Sequence, residues 1–289
     1  METNKSTLFC PAKINLGLHV LNKRGDGFHD IDTIFVPVSL GDSMSVEVLD
    51  KGPDIFFCNP EVCLNGSNLV VQCLNSYREI RPDVPCLNIT LTKSIPAQAG
   101  LGGGSSDAAS MLLWLYRNFP IPSERLSELA LSLGSDVPFF LNPTPSRGQG
   151  RGEILNPLKI HKEMNLLIVK PDEGISTRQA FLWLHQNRPG RQKTLDIDSI
   201  VDAINNESYH SLFDLASNQF TDCFLSLLPN KRFIPEFFKR TGADYYSLTG
   251  SGSAWYGIYS DSHLRLNAYR QALVDCQVFL CTSLNSIPS

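Results

Sequence analysis

The residues best suited to chemistry form a run of glycines and small polar residues in the first half of the chain. The run reads Pro96, Ala97, Gln98, Ala99, Gly100, Leu101, Gly102, Gly103, Gly104, Ser105 and Ser106. Because glycine has no Cβ, a ligand can approach the backbone closely, and the serine hydroxyls add hydrogen-bond donors. If a helix begins at the end of this run, its free N–H groups and its dipole favour an anion. The pattern therefore predicts a cradle for phosphate.

The segments on either side predict the elements that such a cradle needs. Residues 87–92 alternate apolar and polar side chains, as in a strand, and residues 108–115 carry apolar side chains at helical spacing. Two known phosphate loops do not fit. No lysine follows the glycines as in a Walker A loop, and the dinucleotide pattern requires glycine where the chain has Ser105. A flexible Gly/Ser turn is the structural alternative.

Two isolated charged residues are candidates for catalysis. Lys13 lies on a predicted strand from residue 8 to residue 20 and shares one face with Asn15, where the remaining residues are uncharged. Asp136 stands among uncharged neighbours directly before an apolar run. A carboxylate at the mouth of an apolar pocket suits a general base. The alternatives are a solvated strand face for Lys13 and the N-cap of a short helix for Asp136.

Composition and charge exclude several classes of protein. The 289 residues are 42% hydrophobic and 19% charged, which is typical of a soluble globular protein of one large or two modest domains. The net charge of -4 does not favour nucleic-acid binding, and no apolar run is long enough to cross a membrane. The eight cysteines form no Cys-x-x-Cys pair and no zinc pattern. We therefore expect a cytoplasmic protein with no metal-ligating cluster of its own.

The rest of the pattern predicts mixed helices and strands in both halves of the chain. The second and third strands are predicted at residues 28–38 and 44–48, separated by a turn at Gly41 and Asp42. Residues 148–152 are predicted to form a glycine-rich loop. The other predicted helices are 68–77, 123–133, one that begins at Ser176 and Thr177, 197–205, 211–227 and 262–274. The other predicted strands are 164–169, 245–248, 254–259 and 277–282. The predicted fold class is α+β.

Three stretches together resemble the GHMP kinases. They are PAKINL at residues 11–16, the glycine run with the residues that follow it at 96–109, and LTGSG at 248–252. Three more are similar to the diphosphocytidyl-methylerythritol kinases within that superfamily: RGDGFH at 24–29, GSDVPFFL at 134–141 and GRGEIL at 150–155. The six segments lie in the expected order and extend across most of the chain.

This resemblance implies a fold, a reaction and a partner. It implies two α+β domains, residues 1–155 with the ATP-phosphate loop and the catalytic pair and residues 156–289 on the substrate side, with the active site between them. It implies that ATP and Mg²⁺ are used to phosphorylate the 2-hydroxyl of diphosphocytidyl-methylerythritol, a step of non-mevalonate isoprenoid biosynthesis. The expected partner is this small molecule, with no nucleic acid and no membrane, and the oligomeric state stays open.

The resemblance also assigns residues by position. Lys13 and Asp136 correspond to the catalytic pair, and the glycine run to the loop around the ATP phosphates. To act together, this pair has to come within ~4–6 Å. The residues of the adenine pocket are Asn68, Leu69 and Lys93. The residues that hold the cytidine substrate are Asn15, Phe28, His29 and Thr177, with Phe181 stacking on cytosine. Two positions depart from the family, since Phe28 replaces a typical tyrosine and Gln98 stands where small residues are usual.

Two alternatives stay open. One is a kinase of the same superfamily for another alcohol, such as mevalonate or homoserine, which the glycine run does not distinguish but Phe28, His29 and Phe181 do. The other is a non-catalytic RNA-binding module, because the N-terminal half of such kinases resembles a ribosomal-protein-like fold. The acidic balance and the absence of a Lys/Arg stripe in the sequence argue against RNA binding.

Overall fold

The chain is divided into two compact units that are interleaved in sequence. The computed structural model describes residues 5–60, 68–187, 194–271 and 273–285. The first unit consists of Met1–Ala12, Gly41–Ala97 and Gly102–Asn142. The second unit consists of Lys13–Leu40, Gln98–Leu101 and Pro143–Ser289. The domain boundary that we place after residue 155 stays a prediction.

The described residues form a mixture of helices and strands in both halves of the chain, as the sequence predicts. The strands are β1 (Lys5–Lys23), β2 (His29–Val48), β3 (Ile55–Asn59), β4 (Leu87–Thr92), β5 (Ser146–Gln149), β6 (Ile154–Pro157), β7 (Asn165–Pro171), β8 (Tyr245–Leu248), β9 (Trp255–Ile258) and β10 (Cys276–Thr282). The helices are α1 (Leu69–Ile80), α2 (Gly103–Asn118), α3 (Ser123–Leu133), α4 (Val137–Leu141), α5 (Thr177–Asn187), α6 (Ile197–Asn205), α7 (Leu212–Leu215), α8 (Phe220–Leu227), α9 (Phe233–Arg240) and α10 (Ser262–Arg270). Among these helices, none combines the length and apolar character needed to cross a membrane.

The first unit packs helices α1 to α4 together beside part of a sheet. In that sheet β3 pairs with β4 in parallel, and β4 pairs with the Ser43–Val48 end of β2 in antiparallel register. Helix α1 buries Val70, Cys73, Leu74 and Tyr77, which are spaced i, i+3, i+4 and i+7 along one face. This face holds α1 against α2, so the starts of both helices are fixed by the same core.

The second unit contains a four-stranded antiparallel sheet in the order β10-β7-β9-β8. Helices α5, α8 and α9 contribute to the same apolar core as this sheet, and Phe220, Phe224 and Trp255 are among its fully or nearly fully buried side chains. The Thr33–Phe35 part of β2 pairs with β5, and β5 pairs with β6. This arrangement places β1 and β2 residues in the same unit as α5.

Several predicted elements are confirmed at their predicted bounds. Helices α3 and α6 begin and end where the sequence places them. At the start of α5, the Gln179 side chain accepts from Ser176 N at 3.1 Å, and Gln179 N donates to Ser176 Oγ at 3.2 Å. This reciprocal pair is a capping box, so the predicted helix start at Ser176 and Thr177 is confirmed.

The predicted turn at Gly41 and Asp42 is wrong, because β2 continues through both residues. A Cβ on Gly41 would lie 2.3 Å from the ring of Phe9, so glycine is required here for packing rather than for a turn. The Asp42 carboxylate accepts hydrogen bonds from Ser94 N at 2.5 Å and Ile95 N at 2.8 Å. Tertiary partners thus account for both residues that resemble turn residues in the sequence.

The predicted helix at residues 211–227 is two helices, α7 and α8, separated by residues 216–219. The break follows from hydrogen bonds that an unbroken helix could not make. Gln219 N donates to Leu18 O at 3.0 Å, and Asn218 Nδ2 donates to Leu248 O at 2.8 Å and to Gly250 O at 2.9 Å. Asn218 and Gln219 are therefore committed to neighbouring segments.

The predicted loop at residues 148–152 is shorter than expected. Strand β5 extends to Gln149, and the chain then turns directly into β6, so the segment is a hairpin. Strand β3 and helix α9 have no counterpart among the predicted elements, although α9 buries Ile234, Phe237 and Phe238 at helical spacing.

Candidate active site

The end of the glycine run forms the start of a helix, as predicted. Gly102 is the N-cap of α2 and has a left-handed backbone, with φ of 73°, which glycine adopts without strain. Ser105 and Ser106 suit an N-cap by residue type, but they lie inside the first turns of α2 and do not cap it. The first N–H groups of α2 have no partner within the helix, and they are available to an anion.

The beginning of the glycine run lies partly in the second unit. There Lys13 N donates to Leu101 O at 3.0 Å, and Ala254 N donates to Ala99 O at 3.1 Å. A Cβ on Gly100 would lie only 2.3 Å from Thr249 O, so this position tolerates no larger residue. Two of the stretches on which the resemblance rests are thus in direct contact with residues 98–101. Pro96 and Ala97 belong to the first unit, and Gln98 has a left-handed backbone with φ of 53°.

Lys93 belongs to a buried charged cluster in the first unit. Its ammonium binds the carboxylates of Asp42 and Asp107, the latter at 2.5 Å. Asp42 is fully buried, and Asp107 is 3% exposed at the second turn of α2. Lys93 thus ties the end of β4 to the start of α2. Its sequence-based place in the adenine pocket stays a prediction.

Protons are shared unequally within this cluster. Burial raises the pKa of Asp107 to about 7, because the attraction of Lys93 does not offset the loss of water and the nearby Asp42. Burial alone would lower the pKa of Lys93, but Asp107 and Asp42 outweigh it and raise that pKa. Among the described residues, Asp107 Oδ1 has no hydrogen-bond partner. Asp107 therefore takes up a proton at a higher pH than an aspartate in water does.

Asn68 and Leu69 lie at the start of α1. Asn68 is its N-cap and accepts a hydrogen bond from Val70 N at 2.9 Å. A Cβ on Gly104 would lie 3.6 Å from Leu69 Cδ1, so α1 and α2 begin side by side. Two predicted adenine residues therefore lie next to the predicted phosphate cradle, in the same unit.

Asp136 also lies beside the start of α2. It occupies the N-cap position of α4, as the structural alternative predicts, but within the described chain its side chain makes no capping hydrogen bond. Ser105 Oγ lies 3.9 Å from the Cβ position of Gly134, two residues before Asp136. The turn that carries Asp136 is thus adjacent to a hydroxyl of the glycine run.

Lys13 and Asn15 interact through their side chains on β1 in the second unit. Lys13 Nζ donates to Asn15 Oδ1 at 2.7 Å, and Asn15 Nδ2 donates to Thr33 Oγ1 at 2.9 Å. The ammonium also lies 5.4 Å from the centre of the Phe35 ring. Lys13 is 4% exposed, so the strand face that carries it is buried and its alternative as a solvated face is wrong. The distance from Lys13 to Asp136 stays a prediction.

The predicted cytidine residues gather in the second unit. His29 stacks on Phe181 with centroids 4.9 Å apart, and Phe181 meets Phe220 edge-on at 5.0 Å. The ring of Phe28 faces the guanidinium of Arg151 at 3.6 Å and is 47% exposed. A pyrimidine cannot enter between His29 and Phe181 as they stand, so it would use an outer face of this aromatic group.

Two polar features complete the substrate side. Thr177 and Ser251 are hydrogen-bonded through their hydroxyls at 2.9 Å, which ties α5 to the turn after β8. Burial, with the charges of Lys23 and His185, lowers the pKa of His29. His29 is therefore neutral at neutral pH and can both donate and accept hydrogen bonds at the edge of a base.

Sequence reasoning missed Thr33, Asp42, Asp107 and Arg151 as members of the site. Asp42 was interpreted as a turn residue, and Asp107 was one of the polar residues after the glycines. Thr33 belongs to a strand with no distinctive spacing, and Arg151 belongs to the GRGEIL segment of the resemblance but was assigned no role there. In the sequence, a buried polar residue of a strand cannot be distinguished from an exposed one. Only the side chains that contact it in the fold identify it.

The family comparisons agree with this architecture. The family model of the GHMP kinases N terminal domain matches residues 68–142, which include the start of α1, the start of α2 and Asp136. A homoserine kinase from Cytophaga hutchinsonii has the same fold, with a TM-score of 0.72 at 16% identity over 99% of this chain and 96% of that one. The fold is thus that of the GHMP kinases, a class of ATP-using small-molecule kinases, and the predicted α+β fold is confirmed.

Relatives of higher identity narrow the class. A 4-diphosphocytidyl-2-C-methyl-D-erythritol kinase of Azobacteroides pseudotrichonymphae is 35% identical over 265 residues, which cover 90% of this chain and 96% of the relative. A crystal structure of 4-(cytidine 5'-diphospho)-2C-methyl-D-erythritol kinase matches with a TM-score of 0.80 at 29% identity, over 96% of this chain and 99% of that one. The chain belongs to the 4-diphosphocytidyl-2-C-methyl-D-erythritol kinase family.

Proposed function

We propose that this chain transfers the γ-phosphoryl group of ATP to the 2-hydroxyl of 4-diphosphocytidyl-2-C-methyl-D-erythritol, a step of non-mevalonate isoprenoid biosynthesis. Its relatives carry the name of this kinase across most of the chain length, which supports the substrate. The observation that carries the reaction type is the contact between Ser105 and the turn at Gly134. This contact places the turn that carries Asp136 beside the start of α2, a helix N-terminus that suits phosphate.

Asp136 is the proposed general base. Phosphoryl transfer needs little covalent work from a protein, so positioning and charge stabilisation supply most of the catalysis. Asp136 accepts the proton of the attacking 2-hydroxyl as the new O–P bond forms. Lys13 offsets negative charge on the transferred group.

Residues 96–106 are the proposed phosphate loop. The N–H groups at the start of α2 and the positive end of its dipole hold the phosphates. Gly103 lets the loop pack closely on the end of β4, since a Cβ there would meet Ile95 at 3.0 Å and Lys93 Nζ at 3.4 Å. Asn68, Leu69 and the alkyl part of Lys93 are the proposed adenine neighbours, because they surround the same helix start.

Mg²⁺ is the proposed companion of ATP, and the donor set of the loop fits it. Magnesium prefers hard oxygen ligands and is held largely by nucleotide phosphates and water. Ser106 Oγ is buried and, within the part of the chain that the structure describes, has no hydrogen-bond partner. Ser105 and Ser106 are the residues whose hydroxyl oxygens would hold Mg²⁺. When bound, it neutralises charge on the transferred phosphate.

The aromatic group of the second unit is the proposed cytidine site. Phe181 and Phe28 offer flat apolar faces, and neutral His29, with Thr177, offers polar groups for the base and its sugar. Asn15 is buried with its amide bound to Lys13 and Thr33, so its place among the cytidine residues stays a prediction. A kinase for mevalonate or homoserine has no use for a flat aromatic surface. The cytoplasmic location stays a prediction.

A coupled ADP-release assay with matched acceptors tests the proposed function. The cytidine substrate, mevalonate and homoserine are each supplied with ATP and Mg²⁺ at equal concentration. We expect turnover with the cytidine substrate and at least ~100-fold less with mevalonate and homoserine. These two compounds have no base that can stack on an aromatic ring. Equal or faster turnover of mevalonate or homoserine would assign the chain to another alcohol kinase.

A further inference from the structure

We propose that Thr33 is a positioning residue for phosphoryl transfer. It holds the side-chain amide of Asn15 in the one orientation that turns the amide oxygen toward the ammonium of Lys13. This inference rests on the proposed function, in which Lys13 belongs to the catalytic pair. Thr33 itself is not expected to touch ATP or the substrate.

The inference starts from a hydrogen-bond series that crosses from β2 to β1. Thr33 Oγ1 donates to Gly17 O at 2.6 Å. Asn15 Nδ2 donates to Thr33 Oγ1 at 2.9 Å, and Lys13 Nζ donates to Asn15 Oδ1 at 2.7 Å. All three distances are short enough for good hydrogen bonds. We call this series the Thr33 relay.

The direction of the relay is fixed at its main-chain end. A hydroxyl has one hydrogen, and a main-chain carbonyl can only accept, so the Thr33 hydrogen is committed to Gly17 O. Thr33 Oγ1 is left as an acceptor, and only the NH₂ end of the Asn15 amide can satisfy it. The amide oxygen must then face Lys13. A flipped amide would set an NH₂ group against the ammonium and a carbonyl oxygen against an oxygen without a hydrogen to donate.

Burial makes this orientation difficult to replace. Lys13 is 4%, Asn15 1% and Thr33 0% exposed, so water does not reach the relay to substitute for a missing partner. The backbone of Asn15 is held separately, because its N–H donates to Thr249 Oγ1 at 3.0 Å and its carbonyl accepts from Tyr256 at 3.1 Å. The rotation of the amide is the freedom that remains.

Thr249 is a weaker restraint on that rotation than Thr33. Its hydroxyl lies 3.4 Å from Asn15 Oδ1 and 3.3 Å from Gly100 O, so one hydrogen serves two distant acceptors. The contact of the Asn15 amide with Thr33 is shorter, at 2.9 Å, than its contact with Thr249, at 3.4 Å. We therefore assign the orientation of Asn15 to Thr33.

The catalytic value of the relay lies in the neutrality of the amide. A lysine side chain has about four rotatable bonds, so its ammonium stabilises a transition state only when it is held in place. Asn15 Oδ1 fixes the ammonium without adding an opposite charge to it. When the amide orientation is lost, the Lys13 ammonium loses its hydrogen bond to Asn15 Oδ1 and shifts, so the chemical step slows while ATP binding is unaffected.

The test compares Thr33→Val, which keeps shape and removes the hydroxyl, with Thr33→Ser, which keeps the hydroxyl. We expect Thr33→Val to lower kcat about tenfold, with KM for ATP within about twofold of the wild type, and Thr33→Ser to stay near wild type. Thr241→Val is the matched control in the same unit. It removes another buried hydroxyl, which donates to Phe237 O at 2.8 Å, and should lower the melting temperature without lowering kcat.

A double-mutant cycle tests the route through Asn15. If Thr33 acts through that amide, Thr33→Val added to Asn15→Ala should change kcat by less than about twofold. A further tenfold loss in the Asn15→Ala background would contradict the relay. If Thr33→Val does not fold, Thr33→Cys replaces it, since a thiol keeps the volume and is a weak acceptor. It should then give a kcat between those of wild type and Asn15→Ala, and a wild-type kcat would overturn the inference.

Lys13→Met separates failure of this inference from failure of the proposed function. If Lys13→Met loses turnover but Thr33→Val keeps it, Thr33 has no positioning role and the catalytic pair stands. If Lys13→Met retains full turnover, the proposed pair is wrong and the inference is overturned with it. Equal losses of kcat in Thr33→Val and Thr33→Ser would also overturn it, because the hydroxyl would then not be the relevant group.

Discussion

The two units each bury a lysine, and they do so in opposite ways. In the first unit, Lys93 lies between the carboxylates of Asp42 and Asp107. In the second unit, Lys13 donates to the neutral amide oxygen of Asn15, whose orientation is set by Thr33. The Lys93 contacts are two carboxylates, whereas the contact that Asn15 makes with Lys13 is a neutral amide oxygen, oriented by a hydroxyl.

This difference separates two tasks of a kinase site. The ion pairs of Lys93 with Asp42 and Asp107 hold the end of β4 against the start of α2, and the two carboxylates neutralise the charge of Lys93. In the proposed function, the amide oxygen of Asn15 helps to position the Lys13 ammonium, which acts on the transferred phosphoryl group. Lys93 is then a structural tie and Lys13 a reactive group.

Lys13→Met and Lys93→Met break the comparison most directly. We expect Lys13→Met to lower kcat by ~100-fold or more with little change in stability, because it removes charge stabilisation of the transition state. Lys93→Met leaves two buried carboxylates side by side and should cost roughly 3–5 kcal/mol of stability. Turnover by the coupled assay and urea unfolding measure the two effects.

The reverse pattern would contradict the assignment of tasks. A stable Lys93→Met that loses turnover, together with an active Lys13→Met, would make Lys93 the reactive lysine. A loss of stability in both variants, with turnover per folded molecule unchanged, would reduce both lysines to structural ties.

Phe181→Ala sharpens the comparison by affecting the second unit alone. Because base stacking on an aromatic ring is worth roughly 1–3 kcal/mol, we expect the cytidine substrate to bind ~10- to 100-fold more weakly while ATP binding is unchanged. Inhibition kinetics should show CDP competing with the acceptor and not with ATP. Phe213→Ala is the control, since Phe213 is an exposed ring of the same unit that contacts Tyr245 and Tyr246.

Competition of CDP against ATP alone would contradict the cytidine site in the second unit. An equal loss of substrate affinity in Phe213→Ala would show that the effect is not specific to the ring at position 181.

Asp107→Asn tests the pH sensitivity of the first unit, the smallest expected effect. Burial raises the pKa of Asp107 in the folded state to about 7, so the folded chain binds this proton more tightly than the unfolded chain. Its contribution to stability is therefore complete in acid, below the unfolded pKa near 4, and is lost as the pH rises through about 7. Urea unfolding at several pH values between 5 and 8 should show this decline in the wild type and a flatter profile in Asp107→Asn. Parallel profiles would contradict the raised pKa.

The sequence predicts the local elements well where a single chemical signal decides them. Helix α3 has an apolar stripe followed by Gly134, and the start of α5 has the Ser176–Gln179 capping box. The glycine run likewise predicts the start of α2, because left-handed backbone at Gly102 needs glycine.

Elements that depend on distant partners could not be predicted in this way. Gly41 and Asp42 have the composition of a turn, yet a ring and two main-chain N–H groups from other segments keep them in β2. Asn218 interrupts a helical pattern because its side chain donates to the carbonyls of Leu248 and Gly250. Thr33 gives no signal at all, since its role depends on which atom of Asn15 faces it.

The measurement that tests the account most directly is the turnover of Asp136→Asn with ATP and the cytidine substrate. The amide keeps the size of the side chain and removes the proton acceptor. We predict that kcat falls by ~100-fold or more while calorimetry shows ATP binding as in the wild type. Near-normal turnover of Asp136→Asn would contradict the assignment of Asp136 as the base and, with it, the proposed mechanism.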